Sequence, residues 1–521
     1  MKNIHENEKK IFGLLMQVVH NKAPDITLRV AGGWVRDKLM NMDSQDIDIA
    51  VDKMSGQAFA KLVFEWMKNN NIPINHDMAV VKSNPDKSKH LETTILTIYG
   101  VPIDFVQLRK ETYDIDGEQS RIPSINTDNV SAKDDAMRRD FTVNSMFYNL
   151  NTETVEDLTG HGIQDLENKF LRTPLDPVIT FLQDPLRILR AIRFATKYNF
   201  ELDINIIVAA RHHSVQKAFL EKLTHERIWK EMIGVQEATG FKKGFLIGPN
   251  PARAASIMNA FGIRDLLFTL SDEEKNTLGV KQDATSHWDA DQNTPHHNLS
   301  IWDHTLEAMN HLVNLTKNSK IDDGKDNKEI EEVVRNLSIL FHDIGKCDLC
   351  SRQEKEDGTY SYLGHAESSA KMAEYILDKK FKAPKEITQR VKNIVLNHMR
   401  LHVLEDNPSN SSLRRVLKEM GDDWQNLVYH SMADAMGKLD AVEDPKYRAM
   451  IDRFIQLKID QGGGTKAKRP INGNVIMLEL NICPGPSVKQ IIEALDEALL
   501  ENPAMTSEEA VAFIKTVSLK V

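Results

Sequence analysis

Two glycines followed by two aspartates in an apolar stretch constrain the fold of this chain more than any other feature. A β-like run ends at Gly32 and Gly33, and Asp46 and Asp48 follow in a second apolar run. Because strand side chains alternate between the faces of a sheet, Asp46 and Asp48 are predicted to point the same way. Neighbouring carboxylates repel each other unless a cation joins them. The pattern therefore predicts a divalent metal beside a Gly-rich phosphate cradle, which indicates nucleotidyl transfer.

Length and composition limit the class of protein. At 521 residues the chain has room for roughly three to four domains, and its 41% hydrophobic and 27% charged residues fit a globular protein. No apolar run approaches the ~18 residues of a membrane-spanning helix, so no membrane partner is expected. A polar N-terminus and three cysteines predict a cytoplasmic location. The net charge of −10 argues against a general nucleic-acid coat protein but allows an RNA enzyme with a basic strip.

Secondary-structure patterns predict an α/β N-terminal part and a helical remainder. Short runs rich in Ile, Val, Thr and Phe predict strands at 26–31, 46–51, 93–99 and 101–108. Helical patterns fall between these runs, as at Gln57–Asn69, and helical periodicity dominates from about residue 183 onward. The best linker candidates are residues 282–295 and 461–468.

Further polar residues fit nucleotidyl transfer. Asp104 lies in an apolar strand, where a lone aspartate is costly, so it is the expected third carboxylate of a two-metal site, with Glu92 as second choice. Residues 138–144 combine two adjacent arginines with an acid and an amide, which suits contacts to ribose and triphosphate. Alone, such an arginine pair is more typical of surface charge.

The segment that begins at Asp184 predicts a helix whose first turn reads a base. Asp184 is the expected N-cap, with Pro185 as the first helical residue. Asp184 and Arg187 lie three residues apart, so both side chains can face one ligand. A carboxylate accepts from an exocyclic amine and a guanidinium donates to ring acceptors, a pattern that cytosine and adenine share. The pair therefore favours selection of C and A without a template, although a surface ion pair is the alternative for any isolated case.

These segments together resemble the class II tRNA nucleotidyltransferases, the CCA-adding enzymes. Five motifs occur in the family's order over about residues 26–235: GGWVRD with DIDIA, RRDFTVNSM, DLTGHGIQDL, QDPLRILRAIRF and THERIWKEM. The resemblance implies an α+β fold with a polymerase-β-like nucleotidyltransferase head (1–160) and a helical nucleobase-recognition neck and RNA-binding body (161–285). It also implies addition of CCA to tRNA from CTP and ATP with Mg²⁺. Poly(A) addition, and partial addition of CC or of A alone, are the alternatives.

The resemblance also implies a role for each matching residue. Asp46 and Asp48 match the metal-binding pair, with Asp104 as the third acid. The expected nucleotide-binding residues are Gly32, Gly33, Arg36, Arg139, Asp140, Asn144, Asp184, Arg187, Arg190, Arg193, Glu226 and Arg227. Gln183 departs from the family, which usually has Glu there, and only a small effect is expected because this side chain braces the pocket. The loop 110–134, with Gly117, is the expected mobile element that switches the pocket from C to A.

A second set of metal-ligand side chains lies in the second half of the chain. Its members come from separate helical segments: His304, His342, Asp343, His365, His398 and Asp434. Imidazoles and carboxylates together suit a first-row transition metal. Over about residues 296–440 the set resembles the HD phosphohydrolase superfamily, with residues 441–521 as a helical tail. This resemblance implies a metal-dependent phosphatase or 2′,3′-cyclic phosphodiesterase, and Lys346 is either a phosphate contact or a surface lysine.

One alternative from a different class stays open at this point, namely a non-catalytic tRNA-binding or regulatory HD protein. The intact acids Asp46 and Asp48 and the pair His342 and Asp343 argue against it. The sequence leaves the oligomeric state and the metal of the second site open.

Overall fold

A computed structural model describes residues 1, 3–44, 46–74, 79–81, 93–112, 124–126, 130–237, 240–283, 287–294, 299–317, 328–404, 408–438, 445–460 and 469–518. The chain divides into two compact units. The first contains Met1–Met232 and Ile257–Leu267, and the second contains Ile233–Ser256 and Phe268–Val521. The finer division into head, neck and body, HD domain and tail stays a prediction.

The first unit is built on a mixed seven-stranded sheet. Its strands, with the short pairs around it, are β1 (Leu28–Ala31), β2 (Ile47–Val51), β3 (Ala79–Val81), β4 (Thr93–Ile98), β5 (Val101–Gln107), β6 (Lys110–Thr112), β7 (Ser124–Asn126), β8 (Phe147–Asn149), β9 (Thr154–Glu156), β10 (Phe170–Leu171) and β11 (Glu201–Leu202). The sheet order is β3-β4-β5-β2-β1-β8-β9. Only β2 and β5 run parallel among these neighbours, while the other pairs are antiparallel.

Helices cover this sheet and continue beyond it. They are α1 (Glu6–Lys22), α2 (Gly33–Leu39), α3 (Gly56–Asn69), α4 (Ala132–Met137), α5 (Gly162–Glu167), α6 (Pro177–Gln183), α7 (Leu186–Tyr198), α8 (Ile204–Ala210), α9 (His213–Lys222) and α10 (His225–Met232). The buried face of α3 packs against β4, whose burial alternates, and against β5, where the ring of Phe105 lies 5.8 Å from that of Phe59 on α3. Glu8 of α1 accepts a hydrogen bond from the Trp34 indole at 2.8 Å, which ties α1 to α2.

The rest of the chain is mostly helical. The helices are α11 (Pro251–Ala260), α12 (Ile263–Phe268), α13 (Asp272–Leu278), α14 (Ile301–Lys317), α15 (Lys328–Phe341), α16 (His365–Tyr375), α17 (Lys385–Asn397), α18 (Asn410–Met420), α19 (Trp424–Met436), α20 (Pro445–Asp460), α21 (Gly473–Leu480), α22 (Pro486–Glu501) and α23 (Ser507–Ser518). Two hairpins interrupt them: β12 (Gly234–Glu237) with β13 (Gly240–Lys243), and β14 (Arg352–Glu354) with β15 (Tyr360–Tyr362).

The predicted tail has its own apolar core. Helices α21, α22 and α23 bury Ile476, Ile491, Leu495 and Ile514 against one another. Glu497 of α22 also accepts hydrogen bonds from side chains of α18, at 3.0 Å in each case. The segment therefore packs as a small helical layer.

The architecture confirms the predicted α+β class and the predicted strands to within two residues at each end. The hairpins β12–β13 and β14–β15 were not predicted, because strands of three or four residues carry too little alternation to register against helical neighbours. Within the part of the chain that the structure describes, no helix is both long and apolar enough to cross a membrane.

Candidate functional sites

Carboxylates meet at the centre of the first unit's sheet. Asp48 of β2 and Asp104 of β5 are direct neighbours across the parallel strand pair, and the exposed Asp46 immediately precedes β2. Burial, together with the charges of Asp104 and Asp46, raises the pKa of Asp48 to about 6, although Arg139 opposes the shift. Burial and Asp46 also raise the pKa of Asp104. The three acids therefore form a site where a cation is electrostatically favoured.

These three carboxylates are spaced more widely than a closed metal site requires. Among the described residues, the groups of three ligands that lie within 4.8 Å of one another both belong to the second unit. Asp48 and Asp104 fit a cation through their pairing across β2 and β5 and their raised pKa values, and Asp46 just before β2 adds a third carboxylate. Of the other predicted parts, Glu92, Gly117 and most of the loop 110–134 lie outside the described residues.

The predicted glycine turn lies directly beside the arginine segment. Gly32 has a φ of 64°, and a Cβ atom there would lie 2.7 Å from Nη1 of Arg139 and 3.1 Å from the carbonyl oxygen of Asn144. Both the left-handed backbone and the close approach require glycine at this position. Gly32 therefore lets β1 turn into α2 against the segment that carries Arg139.

A buried hydrogen-bonded chain links four of the predicted nucleotide-binding residues. Arg36 donates to Oδ1 of Asn144 at 2.5 Å, Asn144 donates to Oδ1 of Asp140 at 3.1 Å, and Arg190 of α7 donates to Oδ2 of Asp140 at 2.8 Å. Burial opposes ionisation of Asp140, but Arg190 and Asn144 outweigh it and lower the pKa of Asp140 to about 2. The carboxylate is therefore ionised at neutral pH and connects α2 to α7.

Arg36 is held from a second side by aromatic rings of α7. Its guanidinium carbon lies 5.1 Å from the centroid of Phe194 and 4.7 Å from that of Tyr198. Such cation–π contacts, added to the hydrogen bond to Asn144, restrict the rotamers of the arginine.

An acid that the sequence analysis missed organises the two adjacent arginines. Asp135 of α4 is buried and accepts hydrogen bonds from Arg138 at 2.6 Å and from Arg139 at 2.8 Å. Burial opposes ionisation, but the two guanidinium groups outweigh it and lower the pKa of Asp135 to about 2. The spacing of three and four residues on a helix was the signal that could have identified this acid.

The first turn of α7 differs from the predicted one. The helix begins at Leu186, one residue later than predicted, although Pro185 already has helical backbone angles (φ −61°, ψ −17°) and Asp184 before it is extended. Oδ1 of Asp184 still accepts from the backbone nitrogen of Leu186 at 3.1 Å. Arg227 of α10 donates to both oxygens of Asp184 at 3.1 Å. The aspartate is thereby oriented by the helix end and by α10.

The guanidinium of Arg187 is held by neutral acceptors. Its Nη2 atom donates to the carbonyl oxygen of Arg138 at 2.6 Å, and Nη1 donates to the carbonyl oxygen of Thr180 at 3.3 Å and to Oε1 of Gln183 at 3.1 Å. Gln183 therefore contacts Arg187 as a brace, which agrees with its expected role.

Helix α10 carries two glutamates, and only one of them is buried. Glu226 is exposed, whereas the buried Glu231 accepts from Nε of Arg193 at 2.6 Å. Glu231 lies on the same helix as Arg227, four residues later, so α10 contacts α7 through both an acid and a base.

The six predicted ligands of the second unit come together in one buried cluster. Different elements supply them: His304 from α14, His342 and Asp343 after α15, His365 from the start of α16, His398 after α17 and Asp434 from α19. Five of the six form two groups, one of His304, His342 and Asp343 and the other of Asp343, His365 and His398. Asp343 belongs to both groups.

Distances within the cluster show how Asp343 and Asp434 join it. Oδ2 of Asp343 lies 3.3 Å from Nε2 of His342, while its Oδ1 lies 3.5 Å from Nε2 of His365. Oδ1 of Asp434 lies 2.9 Å from Nε2 of His304. Asp343 therefore presents one oxygen to each group, and Asp434 adds an oxygen to the first.

Backbone carbonyls set the protonation of the four cluster histidines. Each Nδ1 atom lies 2.7–3.0 Å from a carbonyl oxygen, those of Gly437, Ile339, Tyr362 and Val395 for His304, His342, His365 and His398 respectively. A proton on each Nδ1 leaves an Nε2 lone pair that faces the cluster. Nε2 atoms of paired histidines lie only 3.3 Å and 3.1 Å apart. Converging lone pairs of this kind fit metal ions.

The charge balance of the cluster also favours a bound metal ion. Burial, with the neighbouring histidines, lowers the pKa of His365 and of His398, so both imidazoles are neutral. Burial also opposes a charge on His342, but Asp343 and Asp434 outweigh it and raise the pKa of His342 to about 10. The first group therefore demands a positive charge, which a proton or a metal ion supplies.

Close packing places Asp343 and Lys346 in this cluster. A Cβ atom on Gly345 would lie 2.2 Å from the carbonyl oxygen of His365, so the turn after Asp343 approaches α16 as only glycine permits. Lys346 is partly buried and donates to Oδ2 of Asp343 at 2.6 Å and to Oε1 of Gln292 at 2.7 Å. Lys346 is therefore part of the site.

Two further histidines of the cluster were missed. The Nε2 atom of His402 lies 2.9 Å from Oδ2 of Asp434, within hydrogen-bond distance. His430 is buried, its ring centroid lies 5.2 Å from that of His342, and neither of its nitrogens has a hydrogen-bond partner among the described residues. His430 is four positions before Asp434 on α19, and this helical spacing could have identified it. His402 lies in the turn that follows His398, where no periodic signal marks it.

Comparison with known proteins identifies the family. The Poly A polymerase head domain matches residues 28–172, and the HD domain matches residues 301–443. The mitochondrial CCA tRNA nucleotidyltransferase of Candida glabrata is 30% identical over 98% of this chain and 96% of its own length. This chain belongs to the tRNA nucleotidyltransferase family.

Other members of the tRNA nucleotidyltransferase family match over the full length as well. The tRNA nucleotidyltransferase cca2 of Schizosaccharomyces pombe is 26% identical, over 99% of both chains. The solved complex of a CCA-adding enzyme with CTP has a TM-score of 0.61 at 18% identity and covers 99% of this chain and 97% of its own, which shows a shared fold. Both matched domains are metal-dependent, and the second unit offers His and Asp groups for metal.

Proposed function

We propose that this nucleotidyltransferase adds CCA to the 3′ end of tRNA from CTP and ATP without a template. The observation that carries the proposal is the direct pairing of Asp48 and Asp104 across β2 and β5, in the same unit as the Gly32 turn and the first turn of α7. In the reaction, the 3′-hydroxyl of tRNA attacks the α-phosphorus of the nucleotide and pyrophosphate leaves.

Asp46, Asp48 and Asp104 would hold Mg²⁺, the ion that suits oxygen ligands and phosphates. Bound Mg²⁺ supplies Lewis-acid chemistry, which lowers the pKa of the attacking hydroxyl and neutralises charge on the triphosphate. The chain itself supplies position: the Gly32 turn brings backbone nitrogens to the start of α2, and the chain of Arg36, Asn144 and Asp140 holds this turn against α7.

Residues at the start of α7 would select the base. Asp184 and Arg187 are oriented before a nucleotide arrives, Asp184 by Arg227 and Arg187 by Gln183 and two carbonyl oxygens. A fixed acceptor beside a fixed donor discriminates C and A from U and G at low entropic cost. Of the remaining predicted residues, Arg139, Arg190 and Arg193 would position phosphates around it, and Glu226 would accept hydrogen bonds from the nucleotide or RNA.

An extension assay tests this function. Purified protein is incubated with Mg²⁺ and tRNA that ends at the discriminator base, with each nucleotide alone or with CTP plus ATP, and products are resolved to one nucleotide. We expect three additions that require both CTP and ATP. A long A-ladder on any RNA would instead indicate a poly(A) polymerase, and CC or A addition alone would indicate a partial enzyme.

We also propose that the HD cluster is a metal-dependent phosphohydrolase for phosphomonoesters or 2′,3′-cyclic phosphates. His304, His342, Asp343 and Asp434 would hold one transition-metal ion, and Asp343, His365 and His398 a second one. Bound metal supplies an activated water as nucleophile. The four carbonyl-bound Nδ1 atoms keep the lone pairs of the histidines aimed at the site, and Lys346, held by Gln292, would contact the phosphate.

Hydrolysis assays test the second activity. Wild-type protein is incubated with a phosphomonoester or a 2′,3′-cyclic nucleotide and each of Mg²⁺, Mn²⁺, Co²⁺, Ni²⁺ and Zn²⁺. The double variant His342→Asn, Asp343→Asn should lose hydrolysis and keep CCA addition. Equal hydrolysis by the wild type and the double variant would contradict this assignment and favour a contaminating phosphatase.

We propose a cytoplasmic location for this activity. Two of the relatives that match over nearly the whole chain are named mitochondrial, so the compartment is tested by fractionation of cells that express the tagged full-length chain. Recovery in the mitochondrial fraction would overturn the proposal.

A further inference from the structure

Asp434 has a second oxygen that the predicted ligand set does not use. Its Oδ1 atom faces His304, whereas Oδ2 lies 2.9 Å from Nε2 of His402. The other ring nitrogen of His402, Nδ1, lies 2.8 Å from the hydroxyl oxygen of Tyr447 on α20. Tyr447, His402 and Asp434 thus form a continuous hydrogen-bonded chain that ends at the cluster.

The partners of His402 set its protonation opposite to that of the four cluster histidines. Those four place Nδ1 against a backbone carbonyl and aim a bare Nε2 at the site. His402 instead accepts at Nδ1 from the Tyr447 hydroxyl, so its proton lies on Nε2 and is donated to the Asp434 carboxylate. A histidine that donates through Nε2 holds the carboxylate in place and does not itself ligate metal.

Helix α20 is anchored so that Tyr447 is rigid. Tyr447 is 2% exposed, and the buried residues Met450, Phe454 and Leu457 follow it on one helical face. The ring of Phe454 lies 5.2 Å from that of Trp424 on α19, the helix that carries Asp434. The hydroxyl of Tyr447 therefore contacts His402 from a helix that is held by buried packing.

We propose that His402 and Tyr447 are positioning residues that orient Asp434 as a metal ligand, so that α20 completes the HD centre. This inference rests on the proposed metal centre. Without the donor from His402, the carboxylate is free to rotate and its second oxygen loses a hydrogen bond. Loss of such an outer hydrogen bond typically weakens metal binding by about 10–100-fold.

Cobalt binding to the full-length protein tests the inference. Metal-stripped wild type, His402→Leu, His402→Gln and Tyr447→Phe are titrated with Co²⁺ and followed by visible absorption, and bound metal is counted by mass spectrometry. His402→Leu should bind Co²⁺ about 10–100-fold more weakly and with an altered spectrum. His402→Gln keeps an N–H donor for Asp434 and should bind within about threefold of wild type. Tyr447→Phe should fall between the two.

His287→Leu is the matched control, because His287 is exposed in the same unit, and it should bind as wild type does. Thermal unfolding of the metal-stripped variants separates lost structure from lost positioning, and the Gln and Phe variants keep the test valid if His402→Leu fails to fold. Equal affinity and spectra for His402→Leu and wild type would overturn the inference alone. Absence of Co²⁺ binding by the wild type would overturn the metal centre and the inference with it.

Discussion

The two proposed metal sites use different kinds of ligands. In the first unit, carboxylates lie on or just before two central strands of a sheet, and the surrounding arginines are already paired with Asp135, Asp140, Asp184 and Glu231. In the second unit, the Nε2 atoms of buried histidines converge in pairs to within 3.1 to 3.3 Å. The first arrangement suits an ion that arrives with a nucleotide, and the second suits an ion that resides in the protein.

The largest expected effect breaks the first site alone. Asp48→Ala should reduce nucleotide addition by at least about 10³-fold, because it removes the partly buried acid that β2 places beside Asp104. The HD cluster of this variant should bind metal as in the wild type. Initial rates of CTP addition to tRNA check this, with the exposed Asp25→Ala as control. Addition at more than a tenth of the wild-type rate would show that Asp48 is not a metal ligand.

The second effect breaks the resident site. Asp343→Ala should remove metal from both groups, since the two groups share this residue. Metal content after gel filtration without nucleotide measures this, and CCA addition should stay within about threefold of wild type, less than 1 kcal/mol of activation free energy. Asp357→Ala, an exposed acid of the same unit, should keep its metal. Retention of one full equivalent by Asp343→Ala would contradict a bridging role.

The third prediction tests the ion pair between Asp140 and Arg190. Asp140 has a folded-state pKa of about 2 and a reference value of 3.8, so its ionised form contributes stability above pH 4 that is lost as the pH falls towards 2. Asp140→Asn should therefore cost about 2 kcal/mol at pH 6. The difference from wild type should shrink between pH 5 and pH 3. Denaturant unfolding of both proteins across this range measures the difference, and a pH-independent gap would contradict the paired carboxylate.

The smallest expected effect concerns the brace. Gln183→Glu keeps an acceptor for Arg187 and should change the rates of C and A addition by less than about threefold, less than 1 kcal/mol. Gln183→Leu removes the acceptor and should raise the misincorporation of U and G more than it lowers the rate. Single-turnover rates with all four nucleotides measure both changes. Equal fidelity of Gln183→Leu and wild type would show that Gln183 does not contribute to base selection.

How much of this could be read from the sequence depended on whether a contact is local. The alternation of Asp46 and Asp48 in an apolar run predicted a pair of acids on one face of a strand, and strand composition predicted the place of Asp104. The contact of Arg36 with Asn144 spans more than a hundred residues, and no periodicity encodes it. Resemblance supplied those residues as a set, but not their pairing.

The helix start at Asp184 and the bracing acid on α10 show a second limit. Sequence spacing placed Asp184 and Arg187 on one turn, and Gln183, the partner of Arg187, is local as well. Arg227, the partner of Asp184, comes from α10, and only tertiary packing brings it near. In the HD cluster, histidine and aspartate identities predicted the ligands, whereas His402 depends on Tyr447 from another helix. Ligand types are visible in a sequence, and the groups that orient them are not.

The most direct test of the account measures which nucleotide this chain adds at each step. Single-turnover addition by the wild type is followed on tRNA ending at the discriminator base, at C and at CC, with each of the four nucleotides. If this chain adds CCA, CTP should be preferred on tRNA ending at the discriminator base and at C, and ATP on tRNA ending at CC. UTP and GTP should be used poorly on all three. A preference for ATP on all three substrates would contradict it.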